Sequence, residues 1–149
     1  MPSFTARSPS PCVVGYRQVV IPAQMFTMIG VMYQDPSGAA ISVQDLFQDP
    51  LGQGLTGGSN SGLADQLMYW DTSEAGSYVT LYLNSNTATS SAARALHNHW
   101  VCTANQIDTT WGQKNKASPK IIPAGRGIWY KRLAGAGAFT LNLDQPYSL

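Results

Sequence analysis

Charge is what this sequence has least of. Lys, Arg, Asp and Glu together make 11% of its 149 residues, against roughly 25% in an ordinary soluble domain. Ser, Thr, Asn, Gln and Gly stand where charges would be. This excludes the Lys/Glu-rich helical surface of many cytosolic enzymes. It suits exported β-proteins and subunits that pack against copies of themselves.

Cysteine is almost as scarce. Cys12 and Cys102 are the only two, and their spacing fits no metal motif. An oxidised extracellular pair is the favoured state, tying the N-terminal segment to a late strand. Closing so long a loop would stabilise by about 4 kcal/mol in the chain-entropy model. Two buried thiols, or a bond to another subunit, are the alternatives.

Long apolar runs are missing, so no membrane-spanning helix is expected. Residues 1–7, Met-Pro-Ser-Phe-Thr-Ala-Arg, lack the apolar stretch of a signal peptide, and the expectation is a mature, exported form at the cell surface or outside it. There is no Asn-x-Ser/Thr sequon, no Gly-x-Ser-x-Gly elbow and no His-Glu-x-x-His helix. The acids are scattered, and Asp35, Asp49, Asp71 and Glu74 fall in turn-like stretches where backbone chemistry already accounts for them. His97 and His99 would share one strand face, yet Cys102 points the other way and no carboxylate completes a set, so they read as structural neighbours of Trp100. Gly52-Gln53-Gly54-Leu55-Thr56-Gly57 matches the dinucleotide-binding glycine pattern literally, but neither the preceding strand nor the following helix is there. The expectation is a non-enzyme without metal or cofactor.

Net charge is +1, which points away from nucleic acid. Its distribution is uneven. Residues 1–113 hold three arginines against seven acids, and residues 114–149 hold six basic residues against Asp144 alone. Such polarity would draw copies together head to tail, unless the two sets meet inside one folded monomer.

What the sequence does hold is β-structure. Pro2, Pro9 and Pro11 make residues 1–12 an extended arm, and residues 13–149 have the length of one domain. Val13 to Ile21 reads as a strand, Pro22-Ala23 as a break, and Phe26 to Tyr33 as a second strand. Its near-continuous apolar character predicts burial on both faces at the centre of the core. Ser42 is placed to cap a short helix through Val43, Leu46 and Phe47, with Asp45 at its third position and Asp49-Pro50 ending it. Gln66, Met68 and Trp70 alternate with Leu67 and Tyr69. Tyr78, Thr80 and Tyr82 alternate with Val79, Leu81 and Leu83, and the two stretches make the clearest hairpin. His97 to Cys102, Ile128 to Leu133 and Phe139 to Leu143 complete the strands. The fold class expected is all-β: a mostly antiparallel sandwich or barrel, with one short helix and an extended N-terminal arm.

Two stretches share a design of apolar lead-in, Pro-Ala turn and strand: Val19-Val20-Ile21-Pro22-Ala23, and Ile121-Ile122-Pro123-Ala124-Gly125-Arg126-Gly127-Ile128-Trp129. In the second, Trp129 is expected to pack inward. Arg126, Lys131 and Arg132 would then mark a positive contact surface.

These residues, taken together, resemble a widespread class of secreted bacterial β-domains found in planctomycete- and verrucomicrobium-type surface proteins. The likeness rests on Gly15-Tyr16, Ile21-Pro22-Ala23, Leu46-Phe47, Asp65-Gln66 with Trp70, Tyr78, Trp100, and Pro123, Gly125, Gly127 and Trp129. Ile128 departs from the usual aromatic, and the closing strand lacks the usual Gly-x-Val. The resemblance implies a surface or structural role and brings no enzymatic site with it.

The leading expectation is a secreted subunit that self-associates into an extracellular filament or surface assembly. Val13 and Val14 in the arm would add a strand to a neighbour's open edge, and Arg126, Lys131 and Arg132 would make further subunit contacts. The alternative is a carbohydrate-binding module that stacks glycans on Trp111 and Trp129.

Overall fold

A computed structural model describes residues 17–23, 26–30, 41–47, 49–71, 77–86, 95–103, 121–122 and 126–143. The strands are β1 (Arg17–Ile21), β2 (Phe26–Gly30), β3 (Ile41–Ser42), β4 (Gln66–Asp71), β5 (Ser77–Asn84), β6 (His99–Cys102), β7 (Ile121–Ile122), β8 (Gly127–Lys131) and β9 (Phe139–Leu143). Among the described residues one α-helix, α1 (Val43–Leu46), and one 3-10 turn, Ser61–Leu63, accompany them. Residues 1–12, where an extended arm with Cys12 is expected, together with Val13, Val14 and Trp111, lie outside the described residues.

The strands form one five-stranded sheet, β2-β8-β4-β5-β6, and two ribbons, β1-β9 and β3-β7. Every named pairing is antiparallel. The architecture is sandwich-like and not a closed barrel. The expected hairpin is formed, with a register running from Gln66 opposite Tyr82 to Asp71 opposite Ser77.

The two sequence stretches of similar design meet through their second strands. β1 and β2 flank Pro22-Ala23, while β7 precedes and β8 follows residues 123–125. β2 pairs with β8 along its whole length, Phe26 opposite Lys131 and Gly30 opposite Gly127.

The core lies on the inner face of the five-stranded sheet. Ile29, Ile128, Tyr130, Leu67, Val79, Leu81, Leu83, Trp100 and Cys102 meet Ile21, Leu141 and Leu143 of the β1-β9 ribbon, together with Val43, Leu46 and Phe47. The four-residue helix is too short to persist on local propensity. Its start is fixed by a capping box: the Ser42 hydroxyl accepts from the Asp45 backbone N–H, and the Asp45 carboxylate accepts from the Ser42 N–H. Gln44 then ties the helix to β6, donating to the Asn98 carbonyl at 2.9 Å and accepting from the Trp100 N–H at 3.2 Å. Asn98 itself sits at φ 61°, a left-handed conformation that asparagine tolerates better than most residues.

One expectation is overturned here. β2 is an edge strand of the five-stranded sheet among the described residues, and its Phe26 and Met28 are exposed while Ile29 is buried. The strand reads as apolar on both faces because the outer face of the sheet is itself apolar.

Candidate functional site

Two constellations stand out, one buried and one exposed. The buried one is centred on Asp65, which no solvent reaches. Its Oδ2 accepts from the Thr56 N–H at 2.7 Å, the Tyr130 hydroxyl at 2.5 Å and Arg132 Nη1 at 2.5 Å. Its Oδ1 accepts from the Leu133 N–H at 2.7 Å. The backbone of Asp65 is engaged as well, donating to the Thr56 carbonyl and accepting from the Leu83 N–H. Arg132 in turn donates from Nε to the Gly137 carbonyl at 3.1 Å and lies over the Phe139 ring at 4.5 Å.

This arrangement joins the start of β4, the end of β8, the 49–57 turns and the loop leading to β9. Every oxygen of the carboxylate is accounted for, so its chemistry is that of a tie between elements. Tyr130 is affected most. Burial pushes its hydroxyl above the ordinary tyrosine range, and the charge of Asp65 and its hydrogen bond push the same way, with Arg132 opposing. A raised pKa on a group that is neutral when protonated stabilises the fold fully below the unfolded value of about 10 and is lost as pH rises past it. Urea unfolding at rising alkaline pH is therefore expected to show a steeper loss of stability in the natural chain than in Tyr130→Phe.

The exposed constellation is the outer face of the five-stranded sheet. The strand period of two places Phe26 and Met28 of β2, Trp129 and Lys131 of β8, Gln66, Met68 and Trp70 of β4, and Tyr78 and Thr80 of β5 on this side. Phe26, Met28, Trp70 and Tyr78 are each about half exposed, at 52%, 58%, 50% and 48%. Phe26, Met68, Tyr78 and Trp129 line a shallow concavity of about 380 Å³. Trp70 and Tyr78 meet edge to face, with ring centroids 4.9 Å apart at 75°. Lys131 Nζ lies 5.7 Å from the centre of the Phe26 ring. Toward β6 the same face is covered, since Tyr82 and Val101 pack under Ala64 and Leu96. The apolar patch therefore lies over β2, β8, β4 and the start of β5.

Two sequence-based assignments change. Trp129 faces outward and is partly buried, and Tyr130 takes the inward place. Ile128 and Tyr130 have one parity, while Trp129 and Lys131 share the other, and the presence of Lys131 in the second set was the available signal. Arg132 is buried in the ion pair with Asp65 and presents no contact surface. Of the remaining contact candidates, Arg126 is exposed just before β8 and Lys131 is half-buried. This ion pair also joins the acid-rich part of the chain to its basic end within one molecule, which removes part of the case for head-to-tail attraction.

His97 lies in the turn before β6 and His99 in the strand, linked by a 2.8 Å contact from His99 Nδ1 to the His97 carbonyl. They do not share a strand face. Cys102 is fully buried on the inner side. No cluster of potential metal ligands occurs among the described residues, and none of their helices is long and apolar enough to cross a membrane. The Gly52–Gly57 segment forms tight turns, with Gly54 at φ 92°, and leads into no helix that would hold a pyrophosphate. Asp65 was legible in sequence only as an acid inside an apolar stretch, Leu63-Ala64-Asp65-Gln66-Leu67. No family model, curated protein or solved structure matches this chain.

Proposed function

We propose that this chain is a non-enzymatic, exported β-domain that works as a structural subunit, associating with copies of itself in an extracellular assembly. The observation that carries the reading is the apolar outer face of the five-stranded sheet. The largest apolar patch on a soluble protein is often a site of contact with another molecule. Aromatic residues and methionine are the types enriched where proteins meet. The scarcity of charge across the chain supports the same reading, as does the resemblance to secreted surface β-domains. Strand addition by the arm through Val13 and Val14 is a second route to the same assembly, since the sheet ends at edge strands among the described residues.

Light scattering on the full chain is expected to show particles larger than a monomer. A chain lacking residues 1–14 is expected to assemble less well if the arm contributes. A monomer at all concentrations would sink the reading.

A carbohydrate-binding role is the second reading, and the outward position of Trp129 favours it. The steeply inclined rings of Trp70 and Tyr78 weigh against a flat stacking platform, and the described residues lining the concavity, Phe26, Met68, Tyr78 and Trp129, offer few hydrogen-bonding groups for sugar hydroxyls. Glycan-array binding by the same preparations, lost on Trp129→Ala, would reverse the order of the two readings.

A further inference from the structure

The strand registers define three rows across the outer face. Phe26, Lys131 and Gln66 are aligned in the first. Met28, Trp129 and Met68 are aligned in the second. Gly30 and Gly127 are paired in the third, with Trp70 beside Tyr78 farther along it. The central row is apolar on β2, β8 and β4, with Thr80 following on β5, and the two outer rows are unlike. On β2 and β8 one end carries a phenylalanine and a lysine, and the other end carries two glycines. On these two strands the large side chains therefore stand at one end, and at the other Gly127 is exposed with Met28 the nearest side chain.

We infer that this face is self-complementary, and that its occupant is a second copy of the same chain packed sheet on sheet about a two-fold axis. The axis lies in the interface plane and crosses the strands at the Met28–Trp129–Met68 row. Such a rotation lays each strand on its own copy in reversed direction, so that the outer rows exchange. Phe26 of one copy covers Gly30 of the partner, and Lys131 covers Gly127. Gln66 lies over Trp70, while Trp129 and Met68 meet their own counterparts at the centre. An isologous contact requires this kind of reciprocity, in which residue i meets j and j meets i.

The geometry tolerates the usual twist between packed sheets. Sheets pack about 30° apart in orientation and about 10 Å apart in distance. Such a rotation shifts a neighbouring strand by roughly 3 Å, under half of the ~7 Å between successive outward rows. The partners named above therefore remain opposed near the axis.

The area agrees with a dimer of modest strength. Large aromatic side chains bury ~150–250 Å² when fully covered. With about half of that open on Phe26, Trp70 and Tyr78, and a similar share on Met28, each copy offers about 400 Å². Trp129 and Met68 add to it. Two copies would cover roughly 1,000 Å², the lower limit for a specific interface. Contacts of that size hold an assembly together mainly when repeated.

This inference rests on the self-association reading, and the experiment separates the two. Gly127→Gln adds a long side chain at the glycine end. Its φ is not left-handed, and a Cβ there would meet the flexible Met28 Cγ and Sδ at 3.4 Å and the Ile29 carbonyl oxygen at 3.8 Å, all ordinary contacts, so the monomer accommodates the change. Met28→Lys puts a charge in the central row at a residue that is already more than half exposed. Sedimentation equilibrium on the full chain is expected to show a dimer whose dissociation constant rises about tenfold or more in each variant, with unchanged unfolding midpoints. Association that is insensitive to both variants, including association lost only on removal of residues 1–14, would overturn the sheet-on-sheet dimer and leave self-association standing. A natural chain that stays monomeric throughout would overturn both.

Discussion

Asp65→Asn is expected to lower the free energy of unfolding by about 3–5 kcal/mol, the usual cost of removing one partner from a buried ion pair. The substitution keeps the shape of the side chain and removes its charge, leaving Arg132 buried opposite a neutral amide. It also exchanges one acceptor oxygen for a donor where Thr56 N–H, Tyr130 O–H and Arg132 all donate to the carboxylate. At least one of those donors then lacks a partner in a site without water access, and an unsatisfied buried polar group is itself costly. In thermal unfolding the midpoint should fall by on the order of 10 °C for a chain of this length.

The companion variant Arg132→Met, and the double variant, make the interpretation specific. Each single change strands a charge, while the double change removes both, so the double is expected to be less destabilised than the two singles combined. Additive losses would mean that Asp65 and Arg132 act independently and that the tie described here is wrong. An Asp65→Asn protein with a natural midpoint would mean the same.

Phe47→Ala is the second large effect, expected to cost about 3–5 kcal/mol. Phe47 follows α1, is wholly buried, and stands 5.2 Å from the Trp100 ring and 6.4 Å from the Tyr130 ring between centroids. The rings form one connected group, because Trp100 meets Tyr130 edge to face at 6.5 Å and Tyr130 meets Phe139 at 6.1 Å. Removing Phe47 opens a cavity bounded by rigid strands on one side, so collapse can recover little of the lost contact. Denaturant unfolding followed by circular dichroism measures the loss. A change below about 1 kcal/mol would show that the helix is an ornament on the sheet and not part of its core.

Phe47 and Phe26 show how far a residue type leads. Both precede or follow apolar neighbours, and nothing local separates them. One anchors the core, and the other stands half exposed on the sheet's outer side. The same holds for Arg132 and Lys131, which are adjacent in sequence and opposite in fate. Lys131 lies on the outer parity of β8, with its ammonium over Phe26. Arg132 follows the end of the strand and turns in toward Asp65, a residue 67 positions earlier.

Much of the framework was legible in sequence because it depends on neighbours a few positions apart. The β4–β5 hairpin follows from two alternating stretches only a few residues apart. The helix start follows from Ser42 with Asp45 three residues later, and the closing alternation of β9 predicts its buried Leu141 and Leu143. The all-β class follows from their sum. Period-two alternation assigns residues to two faces, but it does not say which face another layer will cover. That was decided by tertiary structure: the β1-β9 ribbon and α1 occupy one side of the sheet. The outward place of Trp129, the edge position of β2 and the rows of the outer face follow from it. The Asp65–Arg132 pair is tertiary for the same reason, since a buried charge is stable only where the fold brings its partner from far along the chain.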